Sequence, residues 1–407
     1  MKKSATKKFI IRAFRRIKKT IVLIIYDLSA LSIRDKNMIV FGSQNGTDIG
    51  DNPKFLYNEI KKRAIYRLIW ILKDKENVRK NQSLGYECYY HKSLKGIYYQ
   101  LKAKYFIHSH SINNDFANMF LGGATSILTW HGVGLKKAWG ANKRTYSYKA
   151  VHEKNPIKRY VKLGFCKVNQ ARHNYVISTS PRVSSYYPET FLTKEENVIE
   201  LGQARNDIFF KEDEISNAYL DFMRDNRVIL YMPTHRNKGK SDSGVEEVLD
   251  FERLEAFCEK YNYKFVIKAH IYSHISLDEN YDNIIDASEW NIDAQLLLKY
   301  ADVLITDYSS CYTDYLMLDR PVIFYCYDYN KYIRKDREMY FEYDDVTPGE
   351  KVRSFENLMT VLNFTAVGGD FFKAERKRVL DIFYSPENQG RVTEKQVDYI
   401  LTNIIKR

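Results

Sequence analysis

Between Asp302 and Tyr325 the chain reads as an apolar run, a polar turn of Asp307, Tyr308, Ser309 and Ser310, a helical pattern, and a second apolar run. Runs without polar alternation need cover on both faces, and a parallel sheet with crossover helices supplies it. The pattern recurs. Residues 38–41, 67–72, 105–108, 126–130, 175–178 and 198–201 form one set of expected strands. Residues 228–232, 264–268, 303–306 and 322–325 form a second. Helical patterns fall between them, as at 52–62, 245–261 and 292–300. Asp51-Asn52-Pro53 has the form of a helix start, with Pro in the first turn. The expected fold class is α/β: two doubly wound, Rossmann-like domains facing a cleft, preceded by a basic amphipathic helix. The expected division is a membrane-surface segment at 1–34, an N-terminal acceptor-side domain at 35–208 and a C-terminal nucleotide-donor domain at 209–385. A helix at 386–407 is expected to return to the N-terminal domain. The polar stretch 211–226 is expected to serve as a hinge or linker helix.

Charge is unevenly spread. Of a net +13, nine units come from Lys and Arg within the first nineteen residues, and no acidic residue precedes Asp27. Basicity confined to one end argues against a nucleic-acid-coated surface and for one local anionic partner. On a helical wheel Ile10, Phe14, Ile17, Ile21, Ile24 and Leu28 share a face, with Lys8, Arg12, Arg15, Arg16 and Lys19 mostly away from it. That pattern suits the surface of an anionic membrane, and a peripheral position at its cytoplasmic face is expected. A helix packing on its own protein is the alternative. The apolar run 21–25 is too short to span a bilayer. Five scattered cysteines without C-x-x-C spacing read as reduced, mostly buried thiols.

In open parallel sheets ligands lie beyond the carboxyl ends of the strands. Five such ends carry suitable groups. One delivers His131 into a turn with Gly132 and Gly134, followed by Lys136 and Lys137. A second holds Arg205 and Asp207, and a third Thr234, His235 and Arg236. A fourth holds Lys268, His270 and His274. The fifth is the Asp307 to Ser310 turn, where a helix start offers free N–H groups to a phosphate. The pairs His270/His274 and His108/His110 lack a Cys or carboxylate at ligand spacing, so no structural zinc is expected. Neither a G-x-G-x-x-G nor a Walker motif is present.

T129-W-H-G-V-G-L-K-K137, L201-G-Q-A-R-N-D207, Y231-M-P-T-H-R236, K268-A-H270, and I305-T-D-Y-S-S310 with Asp314 and R320-P-V-I-F-Y325 together resemble the CDP-glycerol glycerophosphotransferases. These are the teichoic acid primases and polymerases, with a GT-B-type fold. F41-G-S-Q-N-G46 and D51-N-P-K-F-L-Y57 are similar to the amino-terminal pattern of that family. The resemblance implies transfer of glycerol phosphate, or a related polyol phosphate, from a CDP-glycerol or CDP-ribitol donor to a hydroxyl of a membrane-linked acceptor, a lipid-linked saccharide or polyol phosphate. CMP is released, in synthesis of a teichoic acid-like or capsular polymer. It implies His131 as general base, with His270 at the pyrophosphate. Donor contacts would come from Arg205, Thr234, Arg236, Lys268, Asp307, Ser309, Ser310 and Asp314, with Gly132, Gly134 and Lys136 on the acceptor side. The family's H-G-T-P, K-x-H-P and G-x-P-R patterns read H131-G-V-G134, K268-A-H-I271 and G202-Q-A-R205 here. No cofactor is required by this reading. A divalent cation could assist at the pyrophosphate, though no carboxylate cluster demands one. Two alternatives stay open: a GT-B glycosyltransferase using a sugar nucleotide, and a non-catalytic scaffold that binds membrane or polymer.

Overall fold

The computed structural model describes residues 2–63, 65–170, 173–212, 217–234, 245–269, 281–329 and 338–405. The chain divides into two compact units. One comprises residues 1–131, 138–205 and 391–407, the other residues 132–137 and 206–390.

The first unit is built on seven strands. They are β1 (Asp35–Gly42), β2 (Arg67–Leu72), β3 (Cys88–Tyr90), β4 (Ala103–His108), β5 (Thr125–Leu128), β6 (His173–Ser178) and β7 (Val198–Glu200). Their order is β3-β2-β1-β4-β5-β6-β7, and every pairing is parallel. Helices cover both faces, as the two-sided apolar runs require. On one face Phe41, Trp70 and Ile107 pack with Leu56, Tyr57 and Ile60 of the helix Asp51–Lys62. Val397, Ile400 and Ile405, from the far end of the chain, join the same core. On the other face Val40, Ile69, Ile71 and Phe106 pack with Tyr26, Val22 and Leu23 of the amino-terminal helix Lys2–Ser29.

That amino-terminal helix has two apolar faces. Of the expected stripe, Phe14, Ile17, Ile21, Ile24 and Leu28 stay half or more exposed, while the Ile10 side chain lies outside those described. A second, shorter face of Val22, Leu23 and Tyr26 anchors the helix to its own sheet. The anchor is tight. A Cβ at Gly122 would lie 1.8 Å from the Tyr26 carbonyl, and the Gly122 N–H donates to Ser29 Oγ at 2.9 Å. The Arg34 guanidinium donates to the carbonyls of Gln100, Ala103, Phe120 and Gly122, and burial lowers its pKa to about 10.

The second unit has six strands: β8 (Arg227–Tyr231), β9 (Tyr263–Ile267), β10 (Ile284–Asp286), β11 (Val303–Thr306), β12 (Val322–Tyr325) and β13 (Glu350–Val352). Their order is β10-β9-β8-β11-β12-β13, again all parallel. Its core packs Ile229, Phe265, Ile305 and Ile323 against Leu254, Phe257 and Leu358. The expected helix at 245–261 is two helices, Val245–Val248 and Phe251–Tyr261, the second capped by Asp250, which accepts the Arg253 N–H. Within the expected hinge lies the helix Ala218–Asp225. No helix among the described residues is long and apolar enough to cross a membrane.

Candidate functional site

Each sheet reverses its strand order once, between β1 and β4 in the first unit and between β8 and β11 in the second. Such a reversal splays the two crossover connections to opposite faces and opens a crevice at the carboxyl ends. Among the described residues, Thr234 and Asp307 stand at the second of these reversals, and the turn carrying His131 lies one strand beyond the first.

In the first unit the segments after β1, β4 and β5 meet. Backbone in the left-handed region is concentrated here: Gln44, Asn45, Asp51 and Trp130 all have positive φ, at 50°, 59°, 56° and 57°. Side chains other than glycine adopt this region at a cost, and only when surrounding bonds hold them there. Asn52 supplies those bonds at Trp130. Its amide nitrogen donates to the Trp130 carbonyl at 3.0 Å and to Gln203 Oε1, while its Oδ1 accepts the Arg205 N–H at 2.9 Å. Arg205 also pairs with Asp51, 3.1 Å apart. The expected strand at 126–130 therefore stops at Leu128, because Trp130 turns the chain and delivers His131.

His131 sits in a shell of rings. Trp130 lies 4.0 Å away, centroid to centroid, and itself packs on Trp139 and Phe191. His110 stacks on His131 at 4.1 Å with an interplanar angle of 9°. The His131 Nδ1 lies 3.0 Å from the Ser109 carbonyl oxygen. A carbonyl only accepts, so Nδ1 carries the proton and Nε2 carries the lone pair. Burial first, then the neighbouring His110, lower the His131 pKa to about 3. The ring is neutral at physiological pH, with its basic nitrogen unprotonated.

Gly132 has φ +123°, a value that calls for glycine. Gly134 has neither a positive φ nor any atom within 4 Å of an added Cβ, so its backbone makes no demand for glycine. Lys136 pairs through its backbone with Met339, and Leu135 and Lys137 bond to Tyr340 and Glu338.

In the second unit Thr234 follows β8 and Asp307 follows β11, side by side at the reversal. Asp307, fully buried, accepts the Thr234 N–H at 2.9 Å and also the Thr234 hydroxyl. Tyr343 donates to the Asp307 carbonyl at 2.7 Å. Ser309 and Ser310 are partly exposed at the start of the helix Cys311–Tyr315. This helix has five residues, continued by one 3₁₀ turn at Leu316–Leu318. So short an element develops less macrodipole than the sequence led one to expect. Burial pushes the Cys311 thiol up to about 11, so it stays protonated.

Two further residues expected at the donor are committed to the fold. Lys268 donates to the carbonyls of Ala287, Ser288 and Trp290, closing the loop after β10. Asp314 is fully buried and accepts from Asn206 and Gln295, each at 3.0 Å, and from the Tyr384 hydroxyl. His235, Arg236, His270 and His274 lie outside the described residues. No cluster of metal-ligating side chains occurs among the described residues.

Asn52, His110, Gln203 and the Trp139–Phe191 pair were not singled out as site residues by sequence reasoning. The prior signals were the Asp51-Asn52-Pro53 helix start, the His-Ser-His run, and the presence of Asn52 and Gln203 within the motifs 51–57 and 201–207.

Known proteins resemble this chain along most of its length. A teichoic acid poly(ribitol-phosphate) polymerase of Bacillus spizizenii is 29% identical over 403 residues, covering 96% of this chain and 60% of that protein. The chain thus spans less than two thirds of that relative. A teichoic acid glycerol-phosphate transferase of Staphylococcus aureus is 29% identical over 360 residues, covering 85% of this chain and 89% of its own length. The solved structure of the wall teichoic acid polymerase TagF superposes with a TM-score of 0.71 at 24% identity, over 96% of this chain and 95% of that one, and establishes the shared GT-B-type fold. With residues 24–402 matching the family model, the chain belongs to the CDP-glycerol:poly(glycerophosphate) glycerophosphotransferases.

Proposed function

We propose that this protein transfers a polyol phosphate, glycerol phosphate or ribitol phosphate, from its CDP-activated form to a hydroxyl of a growing, membrane-linked polymer. The acceptor oxygen attacks the phosphorus bearing the polyol, its proton passes to His131 Nε2, and the pyrophosphate P–O bond breaks. CMP leaves with the bonding electrons, and a phosphodiester remains. The observation that carries this reading is the orientation of His131, whose Nδ1–H is fixed by the Ser109 carbonyl so that Nε2 is left to accept a proton. A base so positioned contributes about 10²–10⁴-fold.

In this reading the donor phosphates are met by the Thr234–Asp307 turn with Ser309 and Ser310, and by Arg236 and His270. Lys268 and Asp314 hold that region in shape. The relatives divide between glycerol and ribitol phosphate, which leaves the polyol to experiment. The amino-terminal helix lies on an anionic membrane surface through Phe14, Ile17, Ile21, Ile24 and Leu28, with Arg16, Lys18 and Lys19 also exposed. Incubation with CDP-glycerol, CDP-ribitol and a UDP-sugar tests the reading. Release of CMP with phosphodiester formation is expected, and release of UDP alone would overturn it.

A further inference from the structure

We propose that His110 works beside His131 as a fixed hydrogen-bond donor to the reacting phosphoryl group, so that the stacked imidazoles present an N–H and a lone pair side by side. The inference rests on His131 acting as the base.

Its origin is Ser109, which holds both rings. The carbonyl of Ser109 takes the Nδ1–H of His131. The hydroxyl of Ser109 is fully buried and accepts the Gln44 N–H at 3.3 Å. A buried hydroxyl also has a hydrogen to give. Among the described residues the acceptor within reach is His110 Nδ1, 2.9 Å away. His110 therefore holds its own proton on Nε2. The two rings have opposite tautomers, one set by a carbonyl and the other by a hydroxyl of the same residue.

The surroundings fix His110 as firmly as His131. Its backbone N–H donates to the buried Asp115 carboxylate at 2.8 Å, and its carbonyl lies 3.0 Å from His108 Nδ1. Parallel stacking at 4.1 Å prevents either ring from turning without the other. The charged and titratable groups facing His110 are the stacked His131, Asp115, Asp51, His108 and Arg205; burial, with His108 and Arg205, lowers its pKa against the pull of the two carboxylates. His110 is thus a neutral donor at the pH where His131 is a neutral acceptor. Negative charge grows on the phosphoryl oxygens as the acceptor attacks, and a preorganised donor aimed at that charge lowers the barrier.

The test uses the full chain with the CDP-polyol that the wild type consumes. His110→Phe keeps a stacked ring and removes the N–H, while His110→Gln restores an N–H without the ring. His131→Ala is measured alongside. We expect His110→Phe to lower kcat by about 10²-fold with KM and melting temperature little changed, and His110→Gln to recover much of the loss. Wild-type kcat in His110→Phe, or a Gln variant no better than the Phe variant, would overturn the donor role. So would loss of kcat accompanied by a lowered melting temperature in both variants, since that marks a purely structural residue. Retained activity in His131→Ala would instead overturn the reading on which the inference rests.

Discussion

Asn52 donates to the carbonyl of Trp130, and with its other amide atom it receives the backbone N–H of Arg205. One buried side chain so ties the turn that carries His131 to the turn that carries Arg205. Asn52→Ala removes these bonds, though the Trp130 carbonyl keeps the Thr129 hydroxyl at 3.2 Å. The expected cost is about 1–3 kcal/mol. Chemical denaturation measures the loss, and kcat should fall with it because His131 is no longer held. Asn52→Asp keeps the acceptor for Arg205 but sets a carboxylate oxygen against the Trp130 carbonyl and Gln203 Oε1, and should be at least as costly.

The two glycines after His131 should separate cleanly. Gly132→Ala forces a side chain onto φ +123° and should cost about 1–3 kcal/mol. Gly134→Ala meets open space and should change stability by no more than about 0.5 kcal/mol. Equal melting temperatures for the two variants would contradict the backbone assignment.

Acid should destabilise this protein through its buried histidines. Burial lowers the pKa of His131 to about 3 and of His91 to about 4. Unfolded histidines titrate near 6.5. Between these values the unfolded chain binds more protons than the folded one, so stability falls as pH drops from about 6.5 towards 4. Denaturation midpoints at pH 7, 6 and 5 should decline in that order, and His91→Gln should flatten the slope. The free-enzyme kcat/KM profile should likewise show no acid limb near pH 6.5 from His131.

Membrane binding should follow the outward stripe of the first helix and not its anchor. Replacing Ile17, Ile21 and Ile24 by Ser leaves Tyr26 and Ser29 in place, so the fold should survive. Co-sedimentation with anionic vesicles should drop sharply while turnover of a soluble acceptor persists. Unchanged sedimentation would reassign the stripe.

Asp314 should behave as a structural residue. Asp314→Ala leaves Asn206, Gln295 and Tyr384 without their shared acceptor and should cost about 2–4 kcal/mol, from hydrogen bonds lost to neutral buried donors. The donor's KM is the discriminating readout, since a direct phosphate contact would raise it even in a variant that stays folded.

The strands were largely legible because a run apolar on both faces has few other meanings. Residues 67–72, 303–306 and 322–325 form strands with those bounds. Cys88–Tyr90, Ile284–Asp286 and Glu350–Val352 escaped notice. Each is a three-residue strand at a sheet edge, too short to show a period, and two of them include charged residues. His131 could be read because it directly follows an apolar run. His110 could not, because its partnership depends on a chain reversal after His108 and on a ring twenty-one residues later. Asn52 looked like a helix start, and its bonds reach 78 and 153 residues along the chain. Asp314 entered the expected donor set through the family resemblance, and nothing local in the sequence shows the three buried partners it accepts from.

The first unit takes its last core residues, Val397, Ile400 and Ile405, from beyond the whole of the second. During synthesis the second sheet is therefore complete before the first can close its apolar face. Until residues 391–405 emerge from the ribosome, the helix Asp51–Lys62 and Tyr57 lack part of their cover, and the nascent first unit exposes a sticky surface for the time needed to translate nearly two hundred residues. Maturation of the unit that carries His131 is thus coupled to residues 391–405, and a nonsense codon after Gly390 would leave its seven-stranded sheet formed but one face short of its cover.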